Sequence, residues 1–285
     1  MDKSIPAHLK SAYKECQRMA ATHYENFPVA SLLLSPESRD HIAALYAFAR
    51  TADDFADEDK YKGRRPQEIN RWEKSFHAAI KNQKAPAILQ AFAHTIKKFK
   101  IPLSLPLDLL KAYRMDLTKK RYKTWKDVLY YCKYSANPVG RMVLYISGIK
   151  KEELHRYSDF ICTSLQLINF WQDTAIDLGR NRIYYPLTEL KKAGVQEKDL
   201  LALKISPAAQ TLIKNAVDFT DSYLQKGYPL LTQVSGRLRL ELRATYWGGQ
   251  GILNKIRKID YNVLQNRPVW NTFDKVSLAF KAWLG

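Results

Sequence analysis

Apolar residues recur at three- and four-residue intervals along most of this chain, the spacing of one buried helical face. Alternating apolar and polar runs bounded by hairpin turns are absent, and the chain holds only 11 glycines, so strands are not expected. Pro36, Pro66, Pro86, Pro106 and Pro207 stand at or near the start of periodic stretches, where a helix tolerates proline. The stretch SPESRDHIAALYAFAR predicts a helix capped by Ser35 with Pro36 at its first position. Further helices are predicted near 66–82, 86–99, 106–120, 151–180, 206–226 and 237–266. The reading is all-α. No repeat, linker or low-complexity tract divides the chain, which predicts a single domain over residues 1–285.

Charge changes this picture. Lys and Arg outnumber Asp and Glu by 46 to 28, a formal charge of +18, which predicts attraction to phosphate-bearing partners. Charge alone leaves nucleic acid, anionic lipid and a charged small molecule open. No recognised nucleic-acid module interleaves the basic residues, so nucleic acid is not expected as a partner. Cys16, Cys132 and Cys162 are odd in number and far apart, which argues against a disulfide framework or a thiolate zinc site and fits a reducing cytoplasm. The opening MDKSIPAHLK lacks the apolar core of a signal peptide, and the longest uncharged run, FICTSLQLINFW at 160–171, is too short to span a bilayer. A cytoplasmic protein is expected, one that sits at most peripherally on the inner face of the membrane.

Within this basic chain the densest acidic cluster, LYAFARTADDFADE at 45–58, lies in an alanine-rich and aromatic run. On a helix, residues four apart share a face about 6 Å apart, so Asp53 with Asp57, or Asp54 with Glu58, could present two carboxylates to one cation. Tyr46, Arg50, Asp53 and Asp57 fall on one stripe, which favours the first pair. A second cluster, LQLINFWQDTAIDLGRNRIYYP at 165–186, places Asn169, Asp173 and Asp177 at four-residue intervals. The neighbours Leu165, Leu167, Ile168, Phe170, Trp171 and Ile176 predict a deeply buried helix, where unpaired carboxylates are costly unless a cation joins them. Oxygen donors without His or Cys favour Mg²⁺, which keeps water and substrate phosphate in its shell. Arg50, Arg180, Arg182 and Tyr184 beside such ions suggest a site that binds diphosphate and withdraws it as a leaving group.

On the paired signatures YAFARTADDFAD and NFWQDTAIDLGRNRIYYP, the chain resembles the squalene and phytoene synthases, which join prenyl diphosphates head to head. The resemblance runs from about residue 23 to residue 264. It implies an all-α isoprenoid synthase fold, a helical bundle around a central cavity, and two or three Mg²⁺ ions bridging an isoprenoid diphosphate to the acidic helices. By that resemblance Asp53, Asp57, Asn169, Asp173 and Asp177 are metal ligands, Asp53 and Asp173 being essential to catalysis. Arg50, Arg182 and Tyr184 would hold diphosphate oxygens, and Tyr46 and Tyr131 would line the reacting centre. Tyr131 falls in YCKYSANPVG, where the family breaks a helix; an aromatic ring there stabilises a carbocation without attacking it.

Three departures narrow the expectation. Gln172 stands where most condensing members carry arginine, Tyr24 and Asn26 replace small hydroxyl residues of a phosphate-binding stretch, and Gly249 stands in place of a cavity tyrosine. With HYENFPVAS, FARTADDFADE, YSANPVGR and NFWQD, the chain is similar to the bacterial hydroxysqualene synthases of the hopanoid branch, for which the substrate is presqualene diphosphate and no NADPH is needed. Gly249 is expected to leave room for one water beside the cation. Condensation of two prenyl diphosphates is the alternative, and a non-catalytic assembly protein is the alternative outside enzymes. Contact with sister pathway enzymes and weak attachment to anionic membrane complete the expected partners.

Overall fold

The computed structural model describes residues 5–22, 36–271 and 274. Ser35, Tyr24 and Asn26 lie outside the described residues. Among those described, fourteen α-helices follow one another and no strand occurs. They are α1 (Lys10–Thr22), α2 (Pro36–Asp57), α3 (Arg65–Ile80), α4 (Ala87–Phe99), α5 (Ser104–Asp116), α6 (Trp125–Ser135), α7 (Asn137–Ile146), α8 (Glu152–Gln172), α9 (Thr174–Gly179), α10 (Leu187–Ala193), α11 (Glu197–Leu201), α12 (Pro207–Gly227), α13 (Pro229–Gln233) and α14 (Gly236–Lys258). The described residues form two compact units, one within 1–118 and 138–155, the other within 119–137 and 156–285.

In the first unit α2 packs against α1, α3, α4 and α5. Its apolar face is made largely of alanine: Ala43, Ala44, Ala47, Ala52 and Ala56 are buried, with Phe48 at their centre. Small side chains let the neighbouring helices approach, and aromatic rings fill the remaining space. Phe48 stacks on Phe92 with centroids 4.4 Å apart and meets Phe76 at 5.4 Å. Beneath them lies a polar knot. The Tyr13 hydroxyl is 3.0 Å from His41 Nδ1, 2.8 Å from His94 Nδ1 and 2.9 Å from Thr95 Oγ1, and it donates to the Ala91 carbonyl at 3.0 Å. Lys98 Nζ, which can only donate, is 3.2 Å from His41 Nε2, so the neutral ring carries its proton on Nδ1.

In the second unit Trp171 is fully buried, donates to Thr220 Oγ1 at 2.7 Å and stacks on Tyr185 at 4.5 Å. Trp125 stacks on Phe219 at 3.8 Å and meets Trp171 edge-on. Helix α12 lies so close to α8 that a Cβ on Gly227 would stand 2.4 Å from Ile161 Cγ1 and 3.0 Å from the Tyr157 carbonyl. Only glycine permits that approach.

Three predicted spans are corrected. The helix expected over 151–180 breaks at Asp173 (φ −99°, ψ 15°), where the Thr174 hydroxyl bonds back to the Phe170 and Trp171 carbonyls. The helix expected over 237–266 stops at Lys258, where the Tyr261 N–H reaches the Ile256 carbonyl and Asp260 and Tyr261 turn to positive φ. The one expected over 106–120 runs from Ser104 to Asp116. Helices α1, α6 and α7 complete the larger elements; the break between α6 and α7 falls within YCKYSANPVG, as expected.

Candidate active site

Each acidic signature has its own construction. On α2 the alanine face is buried, so the acids project from the other side. Arg50 Nη2 lies 2.8 Å from Asp54 Oδ1 and its Nη1 3.7 Å from Asp53 Oδ2. Asp54 is the more buried acid, 18% exposed against 43% for Asp53, and Asp57 is exposed at the last residue of the helix. Asp53 and Asp57 therefore present the more accessible carboxylates, while Asp54 orients Arg50. Arg65 donates to the carbonyls of Asp57 and Glu58 at 3.0 and 3.4 Å and closes the end of α2. The Tyr46 hydroxyl has its pKa raised by burial, against the opposing effect of Arg50. Tyr113, half-buried near Asp53 and Asp116, is raised much further, chiefly by burial.

The second signature is a stripe held by backbone bonds: the Asp173 N–H reaches the Asn169 carbonyl at 2.8 Å and the Asp177 N–H reaches the Asp173 carbonyl at 3.0 Å. Asn169, Asp173 and Asp177 thus stand one above the next, as the spacing predicts. The expected deep burial is corrected: Asn169 is exposed, Asp173 and Asp177 are half-buried, and Ile176 is 47% exposed. The buried side of the helix is the opposite one, carrying Leu167, Ile168, Phe170 and Trp171. After α9 the chain turns at Asn181 (φ 56°), and the Arg182 N–H returns to the Asp177 carbonyl at 2.8 Å. Arg121 fixes that turn, donating to the Asn181 carbonyl at 2.6 Å, to Asn181 Oδ1 at 2.7 Å and to Glu197 Oε2 at 2.7 Å.

Segment 183–187 then runs beside residues 120–122, with Ile183 N–H to the Lys120 carbonyl at 3.0 Å and Leu187 N–H to the Tyr122 carbonyl at 2.9 Å. This register places Tyr184 between two rings: 3.6 Å from Phe170 at an interplanar angle of 6°, and 5.6 Å from Tyr122. Tyr131 completes the group, 5.8 Å from Tyr122, 6.0 Å from Phe170 and 6.2 Å from Tyr184. Phe170, Tyr184, Asp177 and Arg182 line one recess with room for about a single water molecule. Asp177 and Arg182 thus adjoin the aromatic group there.

Two contacts were not legible in the sequence. Arg267, 94 residues from Asp173, donates from Nε to Asp173 Oδ1 at 2.6 Å. Gln172 donates from Nε2 to the Pro268 carbonyl at 2.6 Å. No local pattern signals either, since both arise from the return of the chain after α14. The room expected at Gly249 is corrected as well: a Cβ there would stand 3.0 Å from both Ile168 Cδ1 and Leu165 Cδ2, so aliphatic side chains already fill the space.

Among the described residues no group of three or more His, Cys, Asp or Glu stands ready to hold a metal by itself. The donors present fit magnesium in kind. They are carboxylates and one amide, without nitrogen or sulfur ligands, and such a cation takes few protein oxygens and completes its shell with water and phosphate. Asp173 already engages a cationic group.

Residues 20–274 match the family model for squalene/phytoene synthase, and the chain belongs to that family. It is 38% identical over 229 residues to the hydroxysqualene synthase of Rhodopseudomonas palustris, covering 79% of this chain and 77% of the relative. The chloroplastic phytoene synthase of Narcissus pseudonarcissus is 28% identical over 265 residues, and the match spans 91% of this chain and 63% of that relative. Among solved structures, the squalene synthase HpnC from Alicyclobacillus acidocaldarius superposes with a TM-score of 0.86 at 35% identity, covering 90% of this chain and 97% of that one. A dehydrosqualene synthase solved with a ligand superposes with a TM-score of 0.87 at 20% identity and shares the fold, covering 97% of each chain. The all-α isoprenoid synthase fold expected from the sequence is therefore the fold of this protein.

Proposed function

We propose that the protein converts presqualene diphosphate and water to hydroxysqualene and diphosphate. The observation that carries this reading is the second acidic stripe, Asn169, Asp173 and Asp177, with Arg182 tied back to the Asp177 carbonyl and the Phe170–Tyr184 stack adjoining it: oxygen donors and a cation for a departing anion beside rings that tolerate a carbocation. The similarity to the Rhodopseudomonas hydroxysqualene synthase supports it. Magnesium at Asp53 and Asp57, and magnesium at Asn169, Asp173 and Asp177, would supply neutralisation of the diphosphate charge as it develops. Arg182 and Arg50 bind and orient diphosphate oxygens, Arg50 being aimed by Asp54. Tyr24 and Asn26 belong to the same binding role, and Tyr46 and Tyr131 to the reacting centre. The carbon–oxygen bond to diphosphate breaks with its electron pair leaving on oxygen. The cyclopropylcarbinyl cation rearranges, and water adds with loss of a proton, so no hydride donor is required. Gly249 is not assigned to the water, because Ile168 and Leu165 occupy its surroundings.

Purified protein given presqualene diphosphate and magnesium, with no reductant, is expected to yield hydroxysqualene carrying one oxygen from ¹⁸O-labelled water. Asp173→Asn is expected to lower turnover about 100-fold or more, with a loss of stability below about 1 kcal/mol because its ion pair is partly exposed. Untouched presqualene diphosphate, or wild-type turnover in Asp173→Asn, would defeat the reading. The second reading is squalene formation, favoured by the similarity to the Alicyclobacillus squalene synthase HpnC; a squalene product appearing only with NADPH would select it.

A further inference from the structure

The chain beyond α14 returns across the second acidic signature. Val263 and Leu264 are buried and anchor its beginning, and the Asp260 carbonyl accepts from Gln210 Nε2 at 2.9 Å. Three contacts then fasten residues 267–270. Arg267 Nε is 2.6 Å from Asp173 Oδ1, the Pro268 carbonyl accepts from Gln172 Nε2 at 2.6 Å, and the Trp270 ring lies on Gly251. A Cβ on Gly251 would stand 2.5 and 2.7 Å from Trp270 Cη2 and Cζ2, so the ring is seated directly on the α14 backbone. Between these anchors Val269 is 53% exposed.

Two of the three fasteners are made with adjacent residues, Gln172 and Asp173, at the point where α8 breaks. A guanidinium and a divalent cation cannot both take the same lone pairs of Asp173, and two cations at one carboxylate repel each other. We propose that residues 266–270 form a strap that Arg267 holds against Asp173, and that a divalent cation binding at Asp173 displaces Arg267 and releases it. The inference rests on the reading of Asp173 as a metal ligand. Metal occupancy and strap position are thereby coupled, and the coupling is reciprocal: whatever loosens the strap strengthens metal binding.

The test uses the full chain with magnesium chloride alone, by calorimetric titration and by tryptophan fluorescence. Arg267→Gln is expected to bind magnesium at least twofold more tightly than wild type, as expected from loss of an exposed competing ion pair. Gly251→Ala, which pushes Trp270 off its seat while leaving Arg267 in place, is expected to shift affinity the same way. Wild type should change its fluorescence on titration, and Trp270→Phe should lose that change. Unaltered magnesium affinity in Arg267→Gln, or a fluorescence change that survives in Trp270→Phe, would overturn the strap. The underlying reading fails separately: if Asp173→Asn binds magnesium as tightly as wild type, Asp173 is not a ligand and the strap falls with it. Loss of binding in Asp173→Asn with no effect of Arg267→Gln removes the strap alone.

Discussion

His41 illustrates how burial at one residue sets a pH dependence for the molecule. Its pKa is pushed down to about 3, first by burial and then by the Lys98 ammonium beside it. The ring is buried and neutral in the fold, whereas an unfolded histidine gains its proton near pH 6.5. Above that pH neither state is charged and nothing is lost. As the pH falls from about 6.5 toward 3, the unfolded chain binds a proton the folded chain refuses, and stability drops by up to about 1.4 kcal/mol per pH unit. His94, lowered in the same direction by burial and Lys98, adds to the slope. Thermal unfolding from pH 7 to pH 4 is expected to show a steep fall in Tm for wild type and a flatter profile for His41→Gln. Parallel profiles would show that the knot around Tyr13 takes up the proton without strain. The histidines were visible in the sequence; their shared hydroxyl was not, because Tyr13, His41 and His94 come from three helices.

Among elements, α8 and α12 show what periodicity can and cannot predict. Both were expected from apolar spacing, and both form. The break in α8 was not, since the apolar spacing runs on through Asp173 and does not record the change of backbone dihedrals there. Gly227 ends α12 and reads locally as a stop signal, yet it packs directly against Ile161 and the Tyr157 carbonyl of α8. Gly227→Ala is expected to destabilise the protein by about 1–3 kcal/mol through overpacking, because the Tyr157 carbonyl cannot yield as a side chain can. Urea denaturation would measure this as a lower midpoint at unchanged slope; a midpoint within error of wild type would mean that α12 shifts at little cost.

For the whole molecule, the +18 charge is the largest property that no local site absorbs. Residues 226–285 hold ten Lys or Arg and three Asp or Glu, and no helix among the described residues is long and apolar enough to cross a membrane. Weak association with anionic vesicles is expected, each basic group at such a surface contributing about 1 kcal/mol. Flotation at low salt should recover the protein with vesicles and high salt should release it; no flotation at low salt would leave the charge a matter of solubility. By itself the sequence determined the helical class, the two acidic stripes and the family, because these rest on residues three and four apart and on motifs read in order. Only the tertiary structure decided that Asp54 takes Arg50, that Phe170, Tyr184 and Tyr131 form one aromatic group, that Gly249 is filled by Ile168 and Leu165, and that Arg267 lies on Asp173. The physical reason is separation along the chain. Most of these contacts join segments many residues apart, and even the Arg50 pairing depends on which face of α2 the buried alanines leave open, so no local period records them.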